Sequence, residues 1–323
     1  MAVDQDAHAP DTRMTVADVD LDTATSEAAG LYGPDSQAWR LNREAVLLLG
    51  AGPRALLLQI AHPLVGEGVD QHSGFREDPW SRLASTTRSY LRNVYGSASQ
   101  ARGEIRRLNA LHRSITGPVN DAGAAARHGS TYQARDPELS LWVHATLVDS
   151  TIVAFDRWLE PVSRDQRRRY YAETKPIGRA FGVPPSLLPR DLDAFEAYID
   201  GMLAPAGPVH PTPTAIELSR FILHPSLAPL ARQEPIARRL GGAAEPVVRV
   251  LGRIPPMTYD WQVLPAIELL PPTTRTEYGL DLNPAQRAIA AWLRAGWLGW
   301  RPLLPPSFRQ FGIARAADRR AGQ

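Results

Sequence analysis

With no cysteine in its 323 residues, this chain has to build any reactive centre from its eight histidines, its acids, its hydroxyls or an imported group. Disulfides, thiolate nucleophiles, thiolate-bound metals and iron–sulfur clusters are excluded together. Two histidines fall on apolar helical faces. In EIRRLNALHRSITG (104–117) the stripe Ile105, Leu108, His112, Ile115 advances by three, four and three residues, which predicts a core position for His112. Such an imidazole is either a core histidine hydrogen-bonded to a backbone carbonyl or a metal ligand. As a ligand it would hold haem iron axially, the apolar helix face supplying a dry wall for the porphyrin.

His144 lies in LSLWVHATLVDSTIVAFDRWL (139–159), which is apolar nearly all round and predicts a central helix. It is either structural or functional, and a functional His144 would be a distal-pocket group, a general acid/base or a second iron ligand. Asp149 interrupts the same helix and needs a partner such as arginine if it is to stay buried and ionised. Arg82 and Thr86 are four apart, hence on one helix face. Beside a haem, Arg82 would pair with a propionate, and Thr86 would donate to a propionate or to a bound oxygen species. A carboxylate–histidine iron site from His62, Glu67 and His72 is a weaker alternative, since only one acid lies among them. His8, His128, His210 and His224 fall in tail or loop contexts and carry no functional expectation.

The elements that must position these groups read as helices from about residue 38 onward, with no convincing period of two and no repeat. The sequence predicts a single all-α domain over 38–318. Helices are expected near 38–49, 53–66, 79–95, 98–116, 136–159, 163–181, 189–203, 212–223, 234–251 and 284–299. The proline-rich stretches 204–213, 255–272 and 302–306 read as connections. Gly50-Ala51-Gly52-Pro53-Arg54-Ala55 has the GxGxxA form, and Asp70 stands where a ribose-binding acid would. No second strand precedes that acid, so the glycines read instead as a hinge between two buried helices.

The first 30 residues hold seven acids against Arg13 and no apolar run, which predicts a disordered acidic tail over 1–37 and fits neither a secretory nor a transit signal. The apolar stretch 45–65 is broken by Gly50, Gly52, Pro53, Arg54 and His62, so no transmembrane segment is expected. A soluble, cytoplasmic protein is the expectation. The net charge of +2 gives no reason to expect a nucleic-acid partner, and the arginine run at 164–169 reads as a solvated helix face.

Taken in order, RALLLQIAHPLVGEGVDQHSGF, DPWSRLASTTRSYL, RLNALHRSITG, YQARDPELSLWVHATLVDS and LPPSFRQFGIARAADRR resemble the MpaB-type oxygenase family, which includes the rubber oxygenases. The resemblance spans residues 38–318. It implies an all-α, globin-like core with a b-type haem held by one axial histidine, in a helix downstream of an Arg-x-x-Lys-Thr motif whose Arg and Thr belong to the haem pocket. Arg82 and Thr86 match that Arg and Thr, and His112 matches the axial ligand. The motif's lysine is Ser85 here, so the lysine's distal role does not carry over; His144 is the candidate for the vacant place, and Glu67 corresponds only roughly to a distal glutamate. The implied reaction is dioxygen-dependent cleavage of a carbon–carbon double bond in an apolar, isoprenoid or lipid-like substrate. Two other functions compete: a haem-binding or haem-sensing protein without catalysis, and a haem-free helical binder of apolar ligands.

Overall fold

The computed structural model describes residues 26–74, 78–224 and 260–322. They form an all-α domain: α1 (Gln37–Asn42), α2 (Leu47–Ala61), α3 (Pro63–His72), α4 (Pro79–Tyr95), α5 (Ala98–Arg113), α6 (Ala122–His128), α7 (Pro137–Trp158), α8 (Arg164–Ala180), α9 (Leu192–Leu203) and α10 (Pro213–Leu223). After residue 259 come α11 (Leu264–Leu269), α12 (Pro272–Glu277), α13 (Pro284–Trp300), α14 (Pro306–Arg309) and α15 (Gly312–Ala321). Among the described residues the only sheet is an antiparallel pair, β1 (Thr116–Pro118) with β2 (Thr131–Gln133), registered Gly117 to Tyr132. The helix expected at 234–251 lies outside the described residues.

The apolar-all-round helix α7 is central, as its composition requires. It packs along α2, and the two share a core with α10 and α11. Trp142 is fully buried there and donates its indole N–H to the Leu58 carbonyl at 3.1 Å. The charge conflict within α7 is resolved by Arg54 of α2, which is itself buried. Its Nη1 meets Asp149 at 2.7 Å and Ser150 Oγ at 2.7 Å, and its Nε donates to the Leu269 carbonyl at 2.7 Å.

The Gly50–Gly52 segment is not a hinge. Helix α2 runs through it and through Pro53, with Gly50 packed against Leu269 and Ala154. The break falls later, at His62-Pro63, where α3 leaves α2 at 106°. Pro63 forces the residue before it out of the helical region, and His62 is extended at φ −73°, ψ 119°. The proline then occupies the first turn of α3, where its missing N–H costs nothing. Gly66 completes the corner, since a Cβ there would lie 2.8 Å from the Ile60 carbonyl oxygen. A continuous helix across Gly50–Gly52 also removes the nucleotide-binding turn.

Helices α4 and α5 form a hairpin with sharp ends. Asp78 caps α4 by accepting from Ser81 N–H, Pro79 follows, and α4 stops at Gly96. Ser97 and Gln100 then make a reciprocal capping box at the start of α5. The start of the described chain packs on this end: Glu27 accepts from the Ser97 and Ser99 hydroxyls, and Ala29 and Leu31 are buried. Residues 26–36 therefore belong to the folded body, although the acidic-tail reading had included them. No single helix among the described residues is long and apolar enough to cross a membrane.

Candidate functional site

The α4–α5 hairpin sets the register of the site. Ser89 Oγ on α4 donates to Glu104 Oε1 on α5 at 2.6 Å, and Arg107 Nε donates to the same carboxylate oxygen at 3.1 Å. Hydrogen bonding by Arg107, then by Ser89, holds the buried Glu104 carboxyl down to about 2. From this fixed point the antiparallel pair runs seven residues back along α4 to Arg82 and eight forward along α5 to His112. The two expected site helices thus bring their expected residues to the same end of the hairpin.

There Arg82 donates from Nη1 to Thr86 Oγ1 at 2.9 Å and from Nε to Ser73 Oγ, at the end of α3, at 3.0 Å. Thr86 in turn donates its hydroxyl to the Arg82 carbonyl at 2.9 Å. Arg82 and Thr86 therefore form a unit, with the guanidinium braced from α3. Ser85 is turned outward, its hydroxyl capping the Arg82 carbonyl at 2.9 Å.

His112 sits in the last turn of α5, half-buried. The stripe read from the sequence placed it in the core, whereas the buried face of α5 is Ala98, Ala101, Glu104, Ile105 and Asn109, one notch round the helix. Asn109 ties that face to α8 by donating to the Ala180 carbonyl at 2.8 Å. Partial burial, then the positive charges of Arg82 and Arg107, lower the His112 pKa from its ordinary value. The carbonyl partner expected of a structural histidine is missing: among the described residues the His112 imidazole makes no hydrogen bond. A neutral imidazole with a free ring nitrogen could hold a metal ion or a metalloporphyrin, with Arg82 as the nearby cation for a carboxylate, while Arg107 is already paired with Glu104.

His144 is placed elsewhere. It is buried in the seam between α7 and α8, where its ring lies against Gly178 and near Leu188. Burial alone pushes its pKa down to about 4, and Nε2 is buried with no hydrogen-bond partner. No contact joins it to Arg82, Thr86 or His112 among the described residues.

The alternative iron site does not assemble. Glu67 is buried and accepts from Asn120 N–H at 3.0 Å, Asp121 N–H at 3.1 Å, Asn120 Nδ2 at 3.1 Å and Gln71 Nε2 at 2.9 Å, which makes it an anchor for the loop before α6. His72 turns to the Thr116 carbonyl at 3.2 Å, and His62 stacks near His128 with ring centroids 5.4 Å apart. Among the described residues no group of three His, Asp or Glu side chains is placed to hold a metal ion.

One polar cluster escaped the sequence reading. Tyr90, one turn beyond Thr86 on α4, donates to Asn42 Oδ1 at 2.7 Å and lies 3.3 Å from Thr151 Oγ1, and Asn42 donates to the buried Tyr170 hydroxyl at 3.4 Å. Burial raises the Tyr90 phenol well above its ordinary range, which keeps it a neutral donor. The signal was present in the spacing 82, 86, 90, which continues the Arg82–Thr86 face by another four residues.

Over 157 residues the chain is 28% identical to the uncharacterized protein Mb2261 of Mycobacterium bovis, an alignment covering 46% of this chain and 58% of the relative. The uncharacterized protein Rv2237 of Mycobacterium tuberculosis matches with the same identity and coverage, so the chain spans under two thirds of the length of either relative. No solved structure matches. The family described as ER-bound oxygenase mpaB/B'/rubber oxygenase, catalytic domain, matches residues 39–300, a range that contains α2 through α13 and every residue of the site above. The chain belongs to that family of oxygenase catalytic domains.

Proposed function

We propose that the chain is a haem b-dependent oxygenase that cleaves a carbon–carbon double bond in an apolar, isoprenoid or lipid-like molecule. The observation that carries this reading is His112, a half-buried imidazole held neutral and without a hydrogen-bond partner beside the Arg82–Thr86 pair. His112 would hold the iron, and Arg82 would neutralise a propionate, with Arg107 as a second nearby cation. The chemistry that a bound haem would supply here is dioxygen-dependent oxidative cleavage of an electron-rich double bond into two carbonyl fragments.

The chain's own residues contribute binding, orientation and charge. The bond from Arg82 to Ser73 fixes the guanidinium from α3, so a carboxylate meets a cation already in place. Thr86 has its proton committed to the Arg82 carbonyl and presents lone pairs to the guanidinium, so it orients Arg82 and frees a donor only if that bond breaks. His144 stays the candidate for the distal role left vacant at Ser85, as a neutral group, although it lies in the α7–α8 seam and not beside His112. What supports it is the buried, unsatisfied Nε2 and a pKa near 4, which keeps the ring neutral at pH 7.

The outward-turned Ser85 favours a second reading, in which the chain binds haem without oxygenase turnover. One set of measurements separates the readings. Purified protein expressed with ample haem should show a Soret band that His112→Ala removes, and it should consume dioxygen in the presence of an unsaturated isoprenoid. A Soret band without turnover selects the second reading, and no band leaves only a haem-free binder of apolar ligands. Should His144→Ala leave both spectrum and turnover unchanged, its assigned role is withdrawn.

A further inference from the structure

Between β1 and β2 the chain makes an excursion, residues 116–133, that carries α6 and packs on α3. Its bonds to α3 bracket α6 on both sides. Before the helix, Gln71 Nε2 donates to the Pro118 carbonyl at 2.9 Å, and Glu67 accepts from the Asn120 and Asp121 N–H groups. After it, the Tyr132 hydroxyl donates to Gln71 Oε1 at 3.0 Å. Helix α6 ends at His128, where Gly129 takes the chain out of the helix with φ at +94°. The last residue of α6 is thereby delivered to the corner between α2 and α3. There the rings of His128 and His62 lie 5.4 Å apart between centres, their planes inclined at 46°.

His62 is only 6% exposed, and its Nδ1 is buried without a hydrogen-bond partner, a state that buried polar atoms rarely occupy. The half-buried ring of His128 makes no hydrogen bond among the described residues, to His62 or to any other. Burial, then the neighbouring His128, lowers the His62 pKa to about 4, and burial, then Arg127, lowers that of His128. Both rings are therefore neutral at pH 7 and keep their lone pairs. Arg127 itself turns back along α6, its Nε donating to the Gly123 carbonyl at 3.3 Å. Zinc binds imidazole nitrogens at about 2.0–2.1 Å in tetrahedral geometry, which sets two ligating rings about 5 Å apart between centres, close to the observed spacing. Among the described residues no third His, Asp or Glu joins the pair, so water completes the coordination shell. The half-exposed His128 gives the ion its way in.

We propose that His62 and His128 form a two-histidine site for Zn2+, which clamps residues 116–133 to the α2–α3 corner. The inference stands independently of the haem reading, since His112 takes no part in it. The test is a calorimetric titration of the full-length, metal-stripped protein with Zn2+, alongside thermal unfolding. Saturable binding of one Zn2+ per chain, with a rise in melting temperature, is expected. His128→Ala, at a half-exposed helix end, should keep the circular dichroism of the wild type. It should weaken binding roughly tenfold or more, as a lost ligand costs at least what a lost outer-shell partner does. His62→Gln should weaken binding by a similar factor, and His112→Ala should leave it unchanged. Absence of saturable uptake at millimolar Zn2+, or an affinity unchanged in His128→Ala, overturns the proposal. Uptake lost in His112→Ala and kept in His128→Ala assigns the ion to the other histidine and overturns it as well.

Discussion

The imidazole of His144 rests on Gly178: a Cβ on that glycine would lie 3.2 Å from His144 Cδ2, 3.3 Å from Nε2 and 3.2 Å from Leu188 Cδ2. Helices α7 and α8 are therefore in contact at a point where one side has no side chain. Gly178→Ala should lower stability by about 1–3 kcal/mol, because the ring is buried and Leu188 blocks its retreat. In a His144→Ala background the same substitution should cost less, because only the Leu188 contact is left to crowd the new Cβ and the helix propensity of alanine offsets part of it. Urea unfolding of the four proteins in this cycle reads the difference as a coupling energy. Equal effects in both backgrounds would mean that the two residues are not coupled.

Two histidines make the fold acid-sensitive. Burial lowers the pKa of His144 to about 4, and burial followed by the charge of His128 lowers that of His62 to about 4. Both are neutral in the folded state across the interval in which they protonate in the unfolded chain, so the unfolded state binds more protons below pH 6.5. Their contribution is fully present above that pH and falls away between 6.5 and 4, on the order of 3 kcal/mol for each. Glu104 acts in a lower window, between 4.5 and about 2, where protonation breaks its bonds to Arg107 and Ser89. Melting temperature against pH should therefore fall in two stages, and His144→Gln should flatten part of the first.

Much of this arrangement was legible in the residues. Asp78-Pro79 and Ser97 with Gln100 are local signals, and the helices they open start as read. The break between α2 and α3 was also written locally, in His62-Pro63, but the glycines at 50 and 52 competed for attention. Glycine permits a turn without requiring one, whereas proline constrains its neighbour whatever surrounds it. The degree of burial at His112 was not legible, because the stripe Ile105, Leu108, His112 and the observed face Ala101, Ile105, Asn109 differ by a small rotation of one helix. Which of the two turns inward depends on α8, whose Ala180 carbonyl takes the Asn109 amide from 71 residues away.

Asp149 was legible as an acid in need of a cation, and its partner was not. Arg54 lies on another helix and satisfies three groups at once, Asp149, Ser150 and the Leu269 carbonyl. Arg54→Met should leave the Asp149 carboxylate in the core without a counter-charge, at a cost of about 3–5 kcal/mol. Pairing it with Asp149→Leu should restore a large part of the loss, since two apolar groups make no such demand. Thermal unfolding of the single and double variants measures this. A single variant within 1 kcal/mol or so of the wild type would show that solvent reaches the carboxylate.

Arg82 and His112 should be coupled through charge as well as through proximity. The Arg82 guanidinium disfavours the imidazolium, so Arg82→Gln should move the His112 pKa upward, toward its ordinary value, in the haem-free protein. Nuclear magnetic resonance titration of the ring protons reads this without any cofactor. The iron and the proton compete for the same imidazole nitrogen, so haem uptake by Arg82→Gln should fail at a higher pH than uptake by the wild type. His112→Ala should abolish the Soret band while changing stability by only about 0.5 kcal/mol, because the ring is half-buried, in a last helical turn, and bonded to nothing. A His112 pKa that stays in place when Arg82 loses its charge would separate the two groups. Arg82 would then serve as a brace to Ser73 and Thr86 alone.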